Sequence, residues 1–249
     1  MVSSPLSRQR INSTATSVFL LASILFTVIA RPNETEPVAT FSIVAIDPET
    51  GEIGVAVQSK IVGVGAIVPF AKAGVGAVAT QSYANTGYGP LALLAFESNL
   101  DAAATIELLT RDDPLKATRQ VGVISANGDA ANFTGSDCHE WAGGMTGENY
   151  AVQGNILAGP EVIEAMAKAF ENGKGVLAER LIAALAAGQE AGGDRRGRQS
   201  ASLLVVRDSW GYGGVSDRFR DVRVDDHPTP ITELERVYRI HRDLFPRPN

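Results

Sequence analysis

Three apolar runs in this chain break into amide and hydroxyl groups at one end. They are Ala56-Val57-Gln58-Ser59-Lys60, Ala79-Thr80-Gln81-Ser82-Tyr83-Ala84-Asn85 and Ala151-Val152-Gln153-Gly154-Asn155. A strand of small residues that ends this way delivers neutral donors and acceptors to a sheet end, where ligand sites commonly meet loops. The amides of Gln58, Gln81, Asn85, Gln153 and Asn155 and the hydroxyls of Ser59 and Ser82 are the groups that bind a polar ligand or steady an oxyanion. Taken singly, each segment reads first as a loop satisfying its own backbone. Three together favour one shared polar pocket.

A nucleophile is available in a different form. Thr40 opens the first apolar run, TFSIVAI, and cleavage of the chain before it would give it a free α-amine with a reference pKa of about 7.7–8.0. Such an amine can act as base for the hydroxyl of the same residue. A nearby cation would lower the amine's pKa, and Lys60 and Lys72 are the two early lysines that could do so. The plain alternative is that Thr40 only starts a strand, which threonine does well. A second cationic feature is Gly192-Gly193-Asp194-Arg195-Arg196-Gly197-Arg198. It reads either as a loop whose Arg195, Arg196 and Arg198 anchor a substrate carboxylate, or as a solvated turn in which Asp194 pairs with an arginine.

Other chemistries find little support. Cys138-His139-Glu140 are adjacent, and neighbours in sequence rarely face one ion; there is no HExxH, CxxC or EF-hand pattern, and histidine occurs only at 139, 227 and 241. No P-loop, GxGxxG after a strand or GxSxG elbow is present. No metal and no cofactor are expected.

The elements that must position these residues follow from pattern. Residues 40–59 read as a β-hairpin about Asp47-Pro48-Glu49-Thr50-Gly51, with further strands at 61–69 and 74–81. Helical spacing covers 89–100 and 101–110, with Asp101 as an N-cap. Residues 119–126 and 129–134 form a hairpin about Asn127-Gly128, a type I′ signal, and 150–153 is a short strand. Helices follow at 160–171 and 176–190, then strands at 200–207 and 221–225, and an amphipathic helix at 229–245. Strands and helices come in separate runs, which points to α+β layers and away from an alternating doubly wound sheet.

Arg8 and Arg10 precede the apolar run TSVFLLASILFTVIA (16–30), which has the form of a secretory signal peptide and is shorter than a comfortable membrane span. Residues 1–39 are therefore expected to be a leader, cut after Ala30 or after Ala39, and 40–249 one domain. The expected location is secreted or periplasmic; an uncleaved leader, making a signal-anchored membrane protein, is the lesser alternative. Net charge is −6, and the acidic balance argues against a nucleic-acid partner. The single cysteine excludes an internal disulfide. A small-molecule or peptide-like substrate is the expected partner, with a homo-oligomer open.

Five segments carry a family resemblance: ATFSIVAIDPETGEIGVAVQSK, GVGAVATQSYANTGYGP, YAVQGNILAGPEVIEAMAKAF, AGGDRRGRQSASLLVV and VDDHP. Together they resemble the family called domain of unknown function 1028, over about Thr40 to His241. The resemblance implies the N-terminal-nucleophile (Ntn) hydrolase-like fold, a four-layer αββα sandwich. The chemistry usual in that superfamily is amide hydrolysis by an N-terminal Thr, Ser or Cys exposed by processing. On this chain the matching position is Thr40, with Lys72, or else Lys60, as the assisting lysine. The expected function is an exported amidohydrolase; the alternative is a non-catalytic binding protein of the same fold that recognises a small anionic ligand or a protein partner.

Overall fold

The first hairpin forms as its pattern requires: β1 (Thr40–Asp47) and β2 (Glu52–Ser59) pair antiparallel from Thr40 opposite Ser59 to Asp47 opposite Glu52. The Asp47 carboxylate accepts from the Glu49 N–H at 3.0 Å, its carbonyl accepts from the Gly51 N–H at 2.7 Å, and Gly51 takes φ 69°, a value glycine adopts without steric cost. The structure, a computed structural model, describes Val38 and residues 40–248. The leader's apolar run and the cleavage positions after Ala30 and Ala39 lie outside the described residues.

Residues 61–69, expected as a strand, instead hold a short 3-10 turn at Val64–Ala66, and the next strand is β3 (Pro69–Lys72). The Ser200 hydroxyl donates to the Ile61 carbonyl and accepts from the Val64 N–H, so a side chain replaces a ladder there. Then come β4 (Gly76–Ser82), α1 (Tyr88–Glu97) and α2 (Ala102–Thr110). Asp101 caps α2 as expected, accepting from the Ala104 N–H at 2.7 Å. β5 (Arg119–Ser125) and β6 (Ala130–Thr134) form the second hairpin. Its turn is not the two-residue type I′: only Gly128 has positive φ, and Ser125 N–H bonds the Asp129 carbonyl across a longer loop.

β7 (Gly143–Gly147) was not anticipated, and it pairs with β8 (Tyr150–Gly154). The remaining elements are α3 (Glu161–Asn172), α4 (Leu177–Glu190), β9 (Ser200–Val206), β10 (Arg218–Val224) and α5 (Pro230–Leu244). β10 begins three residues before its apolar pattern, because the expected start at Asp221 sits behind the buried pair Phe219 and Arg220.

The chain is thus α+β, with a six-stranded sheet ordered β10-β9-β2-β1-β8-β7, a four-stranded sheet ordered β3-β4-β5-β6, both antiparallel, and five α-helices among the described residues. The period-2 alternation of β1 divides its side chains between two cores. Phe41, Ile43 and Ala45 join Met166, Leu181, Leu185 and Leu203 beneath α3, α4 and α5. Val44 and Ile46 join Ile53, Val55, Ala77 and Ile124 between the sheets. A third cluster, with Val78, Phe96, Leu109 and Val121, packs α1 and α2 on the four-stranded sheet. No helix among the described residues is long and apolar enough to cross a membrane.

Candidate functional site

Because Thr40 and Ser42 share the face of Val44 and Ile46, the space between the sheets turns polar where β1 begins. Gln81 of β4, Gln120 of β5 and Gln153 of β8 enter the same space, and all five residues are fully buried. Buried amides without partners would be costly, so they bond one another. Ser42 Oγ donates to Gln81 Oε1 at 2.6 Å and accepts from Gln153 Nε2 at 2.7 Å. Gln81 Nε2 donates to Gln120 Oε1 at 2.8 Å, which also accepts from Asn155 Nδ2 at 2.9 Å. Gln120 Nε2 in turn donates to Gly154 O at 2.7 Å and Thr134 Oγ1 at 2.9 Å, with Gly143 O at 3.2 Å.

Gln120 is the hub of this ring, and the sequence reading missed it. Its signal was present: it stands opposite Gln81 in the β4–β5 register, at the start of an apolar strand and not at the end of one. Room for the ring comes from Gly122, where an added Cβ would overlap the Gln153 side-chain amide. Gly122→Ala is therefore expected to push Gln153 off Ser42 and to destabilise the fold by about 1–3 kcal/mol, read as a lower urea midpoint at unchanged slope.

Thr40 lies at the mouth of the ring, fully buried. Its hydroxyl donates to the Val38 carbonyl at 2.8 Å. Its own carbonyl accepts from the Asn155 N–H at 3.0 Å and from Gln81 Nε2 at 3.4 Å. Val38 is tied down by two backbone bonds with Ser82, of 2.7 and 3.0 Å. Val38 thus sits beside the very hydroxyl that would have to act.

The 191–199 loop closes on the same end. Asp194 bridges Leu157, its carboxylate accepts from the Lys60 N–H at 3.2 Å, and Gln199 N–H bonds the Ser59 carbonyl at 3.0 Å. Asp194 also holds Arg196 in an ion pair at 3.0 Å, so the internal pairing of this loop is realised. Arg195 donates instead to the Glu140 carbonyl, and Arg198 lines a separate cavity with Gln189 and Thr229. The three arginines thus have different surroundings: the Glu140 carbonyl, Asp194 and the cavity beside Thr229.

Several expected members stand elsewhere. Lys72 is corrected outright: it pairs opposite Gly76, at the other end of β4 from Gln81, and forms an exposed ion pair with Glu97. Lys60 is the lysine at the Thr40 end, though its side chain is solvent-exposed. Gln58 pairs beside Phe41 and Ala201 and so faces the helix layer, where neither of its amide atoms has a partner among the described residues. Ser59 lies opposite Thr40, and Ser82 carries the Val38 bridge.

Asn85 belongs to a different cluster. Asp113 accepts from Arg119 Nε at 2.9 Å, Tyr88 OH at 2.7 Å, Asn85 Nδ2 at 3.3 Å and the Leu115 N–H at 2.8 Å. Burial works against the charged carboxylate, but these donors, Arg119 foremost, outweigh it and hold its pKa well below the usual range. A depressed carboxylate contributes stability above the unfolded value of about 3.9 and loses it as pH falls through the folded value. The stability gap between wild type and Asp113→Asn is therefore expected to be full at pH 7 and to narrow below about pH 4. Urea titrations showing one constant gap across that range would contradict this account.

Among the described residues no group of three or more His, Cys, Asp or Glu is placed to hold a metal ion. A family model described as "Family of unknown function (DUF1028)" matches residues 40–234, starting at the first residue of β1. The structure is similar to the crystal structure of protein SPO2555 from Silicibacter pomeroyi, which carries the same family description. The TM-score is 0.74 and the identity 32%, over 82% of this chain and 86% of that one. No curated protein matches the chain.

Proposed function

Since this chain belongs to the DUF1028 family, whose description names no activity, we propose its function from the site itself: an exported Ntn-type amidohydrolase built on the four-layer αββα fold. The observation that carries the reading is the setting of Thr40. Its carbonyl is fixed by two N–H donors, and its hydroxyl points at a backbone carbonyl two residues upstream. Cleavage after Ala39 would remove Val38 and leave that hydroxyl beside a free amine.

In this mechanism the Thr40 amine takes the hydroxyl proton as Oγ1 attacks the amide carbon of a small-molecule or peptide-like substrate. The Asn155 N–H and Gln81 Nε2 hold the Thr40 carbonyl and so orient the nucleophile, and a further N–H donor at the ring's mouth steadies the oxyanion. The protonated amine then passes its proton to the departing nitrogen, and water cleaves the Thr40 ester. Lys60 takes over from Lys72 as the cation that keeps the amine unprotonated.

Intact-mass measurement of the exported protein tests the premise: a chain starting at Thr40 is expected. A second reading, a non-catalytic binding protein on the same fold, draws on the burial of Thr40 and on the buried ring amide oxygens of Gln153 and Asn155 that have no partner among the described residues. A mature chain that retains Arg31–Ala39 would favour it.

A further inference from the structure

β10 is an edge strand whose pairing with β9 slips between Arg218 and Arg220. Slips of this kind re-aim side chains, and here both Phe219 and Arg220 end up buried, Arg220 at 1% exposure. A guanidinium keeps its charge inside a protein, so burying one is costly unless a carboxylate or a full set of acceptors compensates. Arg220 has no carboxylate within ion-pair distance among the described residues. Its Nη1 donates to the Phe245 carbonyl at 2.6 Å and meets His241 Nδ1 at 3.0 Å. Its plane lies over the Phe219 ring, with Cζ 3.7 Å from the centroid, and Nε has no partner.

Arg220 forms part of the wall of a cavity of about 360 Å³ between the start of α4, α5 and the Pro246–Arg247 segment. The other arginines of that wall are matched: Arg247 pairs with the buried Glu52 at 2.7 Å, and Arg242 pairs with Glu179 at 3.1 Å near solvent. Arg220 is the one arginine of the wall without a carboxylate. The wall also holds Asp243, which pairs with Arg242 at 3.2 Å, and an apolar part from Val176, Ala178, Phe219 and Pro246, with Tyr238 beside them. With every carboxylate of the wall already paired to Arg242 or Arg247, the apolar part and the unmatched Arg220 are what the cavity offers a ligand.

We propose that this cavity binds a small organic carboxylate with an apolar body, the carboxylate meeting Arg220 and the body resting on Phe219 and Val176. The site is separate from Thr40: Glu52 opens β2 and Ser59, opposite Thr40, closes it, so the length of a strand lies between them. A planar guanidinium favours a carboxylate by geometry, and the apolar wall favours a ligand with more than a charged head.

Calorimetry with benzoate, benzyl alcohol and inorganic phosphate tests the proposal on the full chain. Saturable benzoate binding is expected, with benzyl alcohol and phosphate at least about tenfold weaker. Arg220→Gln is expected to weaken benzoate by about tenfold or more, while Thr40→Ala leaves it unchanged. Because Arg220→Gln could fail to fold, the wild-type protein supplies a second readout: the Arg220 Nε–H resonance is expected to shift in proportion to benzoate occupancy. No saturable benzoate binding up to roughly 10 mM, equal binding of phosphate, or an unmoved Arg220 signal would each overturn the assignment.

Discussion

A chain that begins at Thr40 is expected to turn over an amide found by library screening, and Thr40→Ala in that chain is expected to cost at least about 10³-fold in kcat/KM. The size follows from removing the attacking hydroxyl, since the α-amine that remains has no nucleophile left to activate. Thr40→Ser keeps hydroxyl and amine and is expected to retain a measurable share of the rate. A chain beginning at Arg31 should be silent on the same substrate, because Val38 then occupies the hydroxyl and holds Ser82. Equal turnover by wild type and Thr40→Ala would sink the nucleophile assignment. Turnover by the Arg31 chain would sink the role given to processing.

The second large effect is on stability. Gln120→Ala is expected to destabilise the fold by about 3–5 kcal/mol. The substitution removes the acceptor of two amides, those of Gln81 and Asn155, and the donor to Gly154 O and Thr134 Oγ1. The orphaned groups are deep between the sheets, where water does not replace what was lost. Out of a typical total of about 5–15 kcal/mol this is a substantial part. Urea unfolding decides the matter, and a loss below about 1 kcal/mol would mean the ring closes up or admits water freely.

Both expectations concern residues that the sequence revealed unequally. The β1–β2 hairpin, α2 with its Asp101 cap and the paired helices α3 and α4 were legible, because each combines a clear period with turn or cap chemistry. β7 was not, since Gly143-Gly144-Met145-Thr146-Gly147 has no apolar alternation and exists as a strand only through its pairing with β8. Residues 61–69 were expected as a strand, yet Gly63 at φ 68° and the Ser200 hydroxyl divert the backbone.

Around the candidate site, Gln81, Gln153 and Asn155 lie together with Thr40, and the polar break at a strand end that grouped them is a local signal. Gln58 carries the same signal and faces the other way. Both faces of β2 are buried, so no exposed side marks its phase, and only the pairing of Thr40 with Ser59 puts Gln58 beside Phe41. Lys72 failed for a related reason: its distance along the chain from Thr40 matched, but β3 runs away from the polar end and carries it to Glu97.

Cys138 has a use that no residue of the ring can offer. It is the only cysteine of the chain, it is 7% exposed, and burial pushes its thiol pKa up despite the Ser82 hydroxyl beside it. Its Sγ donates to the Arg119 carbonyl at 3.3 Å, next to Gln120. The carbonyls of His139 and Trp141 just after it receive the N–H groups of Ile156 and Leu157. In the closed protein the thiol is therefore both shielded and protonated, and an alkylating reagent reaches it only when this corner lifts. The native chain comes with its own stopwatch for breathing at the edge of the amide ring, one label per molecule, with nothing engineered.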